Sequence, residues 1–146
     1  MSMRRLIFLA VAAIALTAAS APMASRQAAP TLTVRSSSFG KVLFDGRGFV
    51  LYAFTKDRRT SACSGACAQA WPPYVVRGGL RAGAGVRASL LGTVRRANGA
   101  RQVTYAGRPL YFYVGDKRPG QIRCQNVSEF GGLWLIVRPS GKVVRG

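Results

Sequence analysis

The feature that most constrains the fold is a seven-residue pattern that occurs twice. Residues 51–57 read Leu-Tyr-Ala-Phe-Thr-Lys-Asp, and residues 110–116, 59 positions later, read Leu-Tyr-Phe-Tyr-Val-Gly-Asp. A glycine stands three residues before each copy, at Gly48 and Gly107. Because self-similarity at a fixed spacing is typical of repeat architectures, the sequence predicts two related structural units.

The segments around the two copies predict β-hairpins. Residues 41–44 and 49–54 flank a loop of turn-forming residues, Asp45-Gly46-Arg47-Gly48. The second hairpin has its turn at Asn98-Gly99, the pair that most readily forms a type I′ turn. Alternation along the copies places Tyr52 and Phe54 on one strand face, and Tyr111 and Tyr113 on the equivalent face of the second copy.

A short helix is predicted after the first copy. Residues 61–70 are rich in alanine, Thr60 or Ser61 can cap the start, and Trp71-Pro72-Pro73 ends the run. We therefore predict a mostly β fold: a single antiparallel β domain built from two related β units, with one short helix near residues 61–70.

The N-terminus has the pattern of a secretory signal peptide. Arg4 and Arg5 precede about fourteen apolar residues, a run too short to span a membrane comfortably. An uncleaved anchor remains the alternative, because the cleavage site is imperfect. The predicted organisation is a signal peptide at 1–24, a linker at 25–31 and a β domain at 32–146, with repeat units at about 40–75 and 93–141.

The charge is strongly one-sided, with 22 lysines and arginines against 4 acids and a net charge of +18. This favours an anionic partner such as a wall polymer, through diffuse attraction. The bases are scattered, so we do not expect specific nucleic-acid binding. The chain has no histidine, which excludes a histidine-based triad. With no catalytic constellation visible, we predict no enzyme activity, no cofactor and no metal site.

Three cysteines follow the leader: Cys63, Cys67 and Cys124. Export favours pairing, and a spacing of four on a helix would bring Cys63 and Cys67 to about 6 Å between Cα atoms, so we favour this disulfide. Bonding of Cys124 to either of the others is an alternative. A redox-active Cys63/Cys67 pair is the functional alternative to a structural disulfide.

Three of the four acids, Asp45, Asp57 and Asp116, lie in or beside the repeated pattern. We expect Asp57 and Asp116 to accept backbone N–H bonds in the turns that follow and to pair with arginines. The functional alternative is a paired carboxylate site for a cation or for acid–base chemistry.

The aromatic residues of the pattern also have two interpretations. Packing in the core is the simpler one. The other is an aromatic surface that stacks a sugar, a quinone or another planar ligand, together with Trp71 or Trp134. The candidate ligand surface comprises the repeated aromatic and acidic residues and the two tryptophans: Tyr52, Phe54, Asp57, Tyr111, Tyr113, Asp116, Trp71 and Trp134.

Taken together, these pieces resemble the bacterial secreted-repeat lipoprotein family with the Y-x-[FWY]-x-x-D motif. The matching segments are residues 40–45, 51–57, 63–67, 71–73, 102–111 and 131–134. The resemblance implies an exported cell-envelope protein, often lipid-anchored, in a family of unknown function with no established catalytic residues. Two departures are the missing lipobox cysteine, and Arg123-Cys124-Gln125-Asn126 where members usually have a glycine-rich turn.

The sequence thus predicts an exported protein, extracellular, periplasmic or associated with the envelope, that binds or scaffolds without catalysis. The alternatives are a thiol redox or electron-transfer accessory using Cys63 and Cys67, and a polyanion binder. Membrane contact is expected only if the leader is uncleaved.

Overall fold

The computed structural model describes Ala29 and residues 31–146. The predicted signal peptide and most of the predicted linker lie outside these residues. The described elements are eight strands and one α-helix, with a 3-10 helix at Ala88–Leu90. In chain order they are β1 (Leu32–Ser37), β2 (Gly40–Asp45), β3 (Tyr52–Phe54), α1 (Ala66–Ala70), β4 (Leu91–Arg95), β5 (Arg101–Tyr105), β6 (Arg108–Pro109), β7 (Val127–Glu129) and β8 (Gly132–Ile136).

The strands form three antiparallel sheets, with orders β1-β2, β3-β8-β7 and β4-β5-β6. The β1-β2 hairpin of the first unit corresponds to the β4-β5 hairpin of the second. This arrangement confirms the prediction of a mostly β, antiparallel fold with one short helix. No helix in the described part of the chain combines the length and the apolar character needed to cross a membrane.

Both predicted hairpins occur with changes. In the first, Phe44 and Val50 form only an isolated bridge, and the chain then leaves β2 so that β3 can pair with β8. The second is not a type I′ hairpin, because only Gly99 of the Asn98-Gly99 pair has a positive φ, at 83°. The N–H of Gly99 donates to the Arg96 carbonyl, which gives a type I turn followed by a left-handed glycine.

The helix begins later than predicted. It spans Ala66–Ala70 rather than residues 61–70, and no side chain caps it. The reason is Gly65, whose φ of 55° and ψ of −128° are incompatible with a helix. Cys63 therefore precedes the helix instead of lying on one of its faces.

The two units are interdigitated. Strand β3 of the first unit pairs with β8 of the second, so that Phe54 lies opposite Trp134. The second copy of the pattern is not a regular strand; Tyr111 forms isolated bridges with Tyr52 and with Pro73 of the first unit. The first copy is therefore hydrogen-bonded to β8, which carries Trp134 of the second unit. The second copy pairs with the segment that carries Trp71 of the first unit.

The repeated segments lie between two hydrophobic clusters. Tyr52, Phe54 and Tyr111 belong to the cluster that contains both tryptophans. Leu51, Ala53 and Leu110 point the opposite way into the second cluster. The predicted alternation is confirmed, and both faces of each copy are covered by apolar side chains.

Candidate functional site

The tyrosine of each copy is hydrogen-bonded to the aspartate of the other copy. The Tyr52 hydroxyl donates to Asp116 Oδ2 at 2.8 Å, and the Tyr111 hydroxyl donates to Asp57 Oδ2 at 2.8 Å. The backbones of Tyr52 and Tyr111 also exchange two N–H···O bonds of 2.9 Å. We call these two side-chain bonds the crossed tyrosine–aspartate pairs.

Each aspartate also accepts a backbone bond from the loop that follows its own copy. Asp57 Oδ1 accepts the N–H of Ala62 at 2.7 Å, and Asp116 Oδ1 accepts the N–H of Arg123 at 3.0 Å. The expected backbone bonds are present, but the expected arginine pairing is not. The one side-chain ion pair among the described residues joins Asp45 to Arg47 at 2.8 Å.

Burial shifts the ionisation of these groups. Desolvation raises the pKa of Asp57 and of Asp116, although the hydrogen bonds that each accepts oppose the rise. Burial raises the pKa of Tyr111 to about 12, and burial together with the Asp116 charge raises the pKa of Tyr52 well above its usual range. The tyrosines therefore stay protonated and act as donors.

Four rings form one continuous aromatic stack, in the order Phe54, Trp134, Trp71 and Tyr113. Successive ring centroids are 4.1, 4.0 and 4.6 Å apart, and the two indoles are within 4° of parallel. The rings come alternately from the first and the second unit. Because each tryptophan has another ring on both faces and is fully buried, neither presents an open face to a planar ligand.

The paired tyrosines touch this stack edge-on. Tyr52 lies with its ring centroid 5.2 Å from that of Trp71, and Tyr111 lies 5.1 Å from Trp134. Ring contacts connect the six aromatic candidate residues. Asp57 joins them through its bond from Tyr111, and Asp116 through its bond from Tyr52. All eight candidate surface residues therefore belong to one connected assembly.

Sequence reasoning missed the role of Glu129. Its Oε2 accepts the indole N–H of Trp71 at 2.8 Å, and its backbone oxygen accepts that of Trp134 at 3.3 Å. Glu129 was the only acid of the chain without a predicted role, and this was the one signal in the sequence that it has a partner. All four carboxylates of the chain therefore accept hydrogen bonds from within the protein.

Cys63 and Cys67 form a disulfide with Cα atoms 5.3 Å apart. The pairing is as predicted, although the helical spacing used to predict it is wrong, because Cys63 lies before α1. Cys124 is free and buried. Cys63 follows Ala62, whose N–H donates to Asp57, and Cys124 follows Arg123, whose N–H donates to Asp116. The two cysteines therefore occupy equivalent positions in the two units.

Arg96, also missed by the sequence analysis, ties the disulfide loop to the second unit. Its guanidinium donates to the Cys63 carbonyl at 2.7 Å, to the Ser61 hydroxyl at 2.6 Å and to Gln102 Oε1 at 2.8 Å. The Ser61 hydroxyl lies 2.6 Å from that of Tyr111. A polar network therefore surrounds the Tyr111–Asp57 pair.

A cleft of about 630 Å³ lies where the loop after the first copy meets β4, β5 and β6. Three exposed arginines, Arg58, Arg59 and Arg108, line it together with Thr93 and Thr104. Among the described residues no carboxylate lines this basic cleft. It is formed by segments far apart in the sequence, so sequence reasoning could not find it.

A second basic depression has a similar chemistry. It has a volume of about 470 Å³ and is lined by Arg35, Lys41 and Arg87. A third cavity, of about 510 Å³, contains the Asp45–Arg47 ion pair. The described residues contain no group of three or more cysteine, aspartate or glutamate side chains placed to hold a metal ion.

The fold and the site define a class: a duplicated β-repeat protein whose two units share one aromatic core, with a disulfide that closes a loop in the first unit. A family model described as a secreted repeat of unknown function matches the chain twice, at residues 33–74 and 92–138. The chain belongs to this family of secreted repeats, which confirms the resemblance and supports export. No curated protein and no solved structure matches the chain.

Proposed function

We propose that this protein is a non-catalytic binding domain of the cell envelope, and that it holds an anionic polymer on its basic surface. One observation carries the proposal: all four carboxylates are engaged in internal hydrogen bonds. The lysines and arginines of residues 31–146 therefore have few acidic neighbours on the surface, where Glu129 is the one exposed acid among the described residues. A surface of one charge sign attracts polyanions and releases their counterions on contact.

The crossed tyrosine–aspartate pairs support a binding role rather than an enzymatic one. Asp57 and Asp116 each have both oxygens occupied by internal donors, so neither is free to act as a general base on a bound substrate. The repeated pattern forms a buried scaffold, and the loops around it present the charge.

The basic cleft is the surface that we assign to the polymer. Arg58, Arg59 and Arg108 line it, and no carboxylate does among the described residues. Guanidinium groups bind phosphate and carboxylate oxygens in a forked geometry. The thiol redox alternative has less support, because Cys63 is 1% and Cys67 7% exposed, whereas reactive cysteines are accessible.

The test is the binding of labelled polyphosphate, with neutral dextran as the control polymer. The variant R58A/R59A/R108A removes three charges from the basic cleft, and R35A/K41A/R87A removes three from the other depression. We expect binding that survives at about 0.15 M salt, with the first variant weakened about tenfold more than the second. Loss of wild-type binding at that salt concentration would contradict polymer binding, and equal weakening would contradict the assignment to the cleft.

A further inference from the structure

Three of the four carboxylates accept hydrogen bonds from oxidisable aromatic side chains. Asp116 accepts from Tyr52, Asp57 from Tyr111 and Glu129 from Trp71. All three donors contact the same aromatic stack. We infer that the stack and its carboxylates form an electron-hole relay, which carries a one-electron oxidation inward and deposits it on Tyr52 or Tyr111, an activity separate from polymer binding.

The geometry supplies a continuous path. Tyr113 is half-buried and forms the accessible end of the stack, 4.6 Å from Trp71 between ring centroids. Trp71 and Trp134 are stacked at 4.0 Å, and each has one of the paired tyrosines at its edge. Every step of the path is therefore a van der Waals contact between rings.

The proposed chemistry balances in two steps. First, an external one-electron oxidant takes one electron from the stack, which leaves a tryptophan radical cation; the Glu129 carboxylate beside the Trp71 N–H stabilises this charge. Second, the adjacent tyrosine gives one electron to the tryptophan and its phenolic proton to its aspartate. The products are neutral tryptophan, a tyrosine phenoxyl radical and a carboxylic acid. An external one-electron reductant reverses the sequence, with the proton returning to the tyrosine.

The aspartates suit the role of proton acceptor. Each already accepts the phenolic hydrogen at 2.8 Å, so the proton moves along an existing bond. Burial raises the pKa of both carboxyls, which favours the protonated product. Two other tyrosines of the chain lack such a proton acceptor. Tyr74 and Tyr105 donate to the backbone carbonyls of Thr31 and Pro139, which cannot take a proton at neutral pH.

The experiment generates the oxidant by illuminating ruthenium tris-bipyridyl with persulfate and records the tyrosine radical by electron paramagnetic resonance. Two matched double variants each remove two hydroxyls. We expect Y52F/Y111F to abolish most of the long-lived radical and Y74F/Y105F to leave it unchanged. D57N/D116N keeps an acceptor oxygen but removes the base, and should slow radical formation about a hundredfold.

A purely structural role would change the thermal unfolding temperature of these variants without changing radical formation. The inference is overturned if folded D57N/D116N forms the radical at the wild-type rate. It is also overturned if the radical persists in Y52F/Y111F, since Tyr113, Tyr74 or Tyr105 would then be the terminus. Near-ultraviolet circular dichroism of each variant establishes folding, and W71F/W134F provides a second test, with slower oxidation of the paired tyrosines expected.

Discussion

The hydroxyl of Tyr52 donates to the carboxylate of Asp116, although the two residues are 64 positions apart. The equivalent bond of the other copy, from Tyr111 to Asp57, spans 54 positions in the opposite direction. The tyrosine and the aspartate of one copy therefore never bond each other. The repeated pattern encodes contacts between the units.

A double-mutant cycle tests this crossed arrangement. Y52F removes a buried donor from Asp116 and should lower the free energy of unfolding by about 1–3 kcal/mol. Combined with D116N, the two changes should show a coupling energy of about 1–2 kcal/mol. The measurement is urea unfolding of the single and double variants.

The matched control is Y52F combined with D57N, which pairs the tyrosine with the aspartate of its own copy. We expect these two effects to add within about 0.5 kcal/mol, because no bond joins the two side chains. Coupling equal to that of Y52F with D116N would show that the pairs are not crossed in solution.

The pH dependence of stability has a definite sign. Because burial raises the pKa of Asp57 and Asp116, the folded state binds more protons than the unfolded state just above the unfolded pKa of about 3.8. The stabilisation that these two carboxyls contribute to the folded state is therefore fully present below the unfolded pKa and is lost as the pH rises through the folded pKa. Replacement by asparagine abolishes this titration.

Unfolding of wild type, D57N and D116N should be compared at several pH values. We expect the stability advantage of wild type over each variant to be larger near pH 3.5 than near pH 7. An advantage that shrinks on acidification would mean that the hydrogen bonds outweigh burial and lower the folded pKa.

The disulfide should stabilise the fold modestly. It closes a loop with a sequence separation of only 4, so removing it with C63A/C67A should lower the free energy of unfolding by about 2 kcal/mol. C124A is the control, since it removes a buried sulfur without breaking a cross-link. Hydrogen exchange should show faster opening near α1 while β3 and β8 stay protected; global loss of protection would contradict a local role.

Gly132 is required by the aromatic stack. A Cβ at this position would lie 2.7 Å from Cε2 of Phe54, whose ring is held against Trp134. G132A should therefore lower the free energy of unfolding by about 1–3 kcal/mol. At Gly78 a Cβ would meet nothing within 4 Å, so G78A should be neutral or stabilise by up to about 1 kcal/mol. Equal unfolding midpoints for the two variants would exclude the steric effect.

Local patterns predicted the parts of the fold that depend on local chemistry. Alternation placed Tyr52 and Leu51 on opposite faces, and the predicted disulfide is present, although the helical spacing from which it was predicted is not. The predicted start of α1 was wrong because Gly65 has non-helical backbone angles, and an alanine-rich composition does not show which glycine interrupts a helix.

Less of the candidate site than of the fold could be predicted from the sequence. The sequence identified the paired tyrosines and aspartates as residues of interest, but the partner of each depends on how segments 59 residues apart pair in space. Glu129 and Arg96 carry no local motif at all; their partners come from distant segments, Trp71 and Cys63. Such contacts are fixed by tertiary packing.

The interdigitation of the units has a consequence for how this fold can be assembled. In a chain with only one unit, the repeated segment would lack a strand partner and the tryptophan would lack a ring on one face. Two such chains would have to exchange segments to make these contacts, as in a domain-swapped dimer. The present chain carries both halves of that dimer on one polypeptide. Its assembly is therefore intramolecular and independent of dilution, as suits an exported protein.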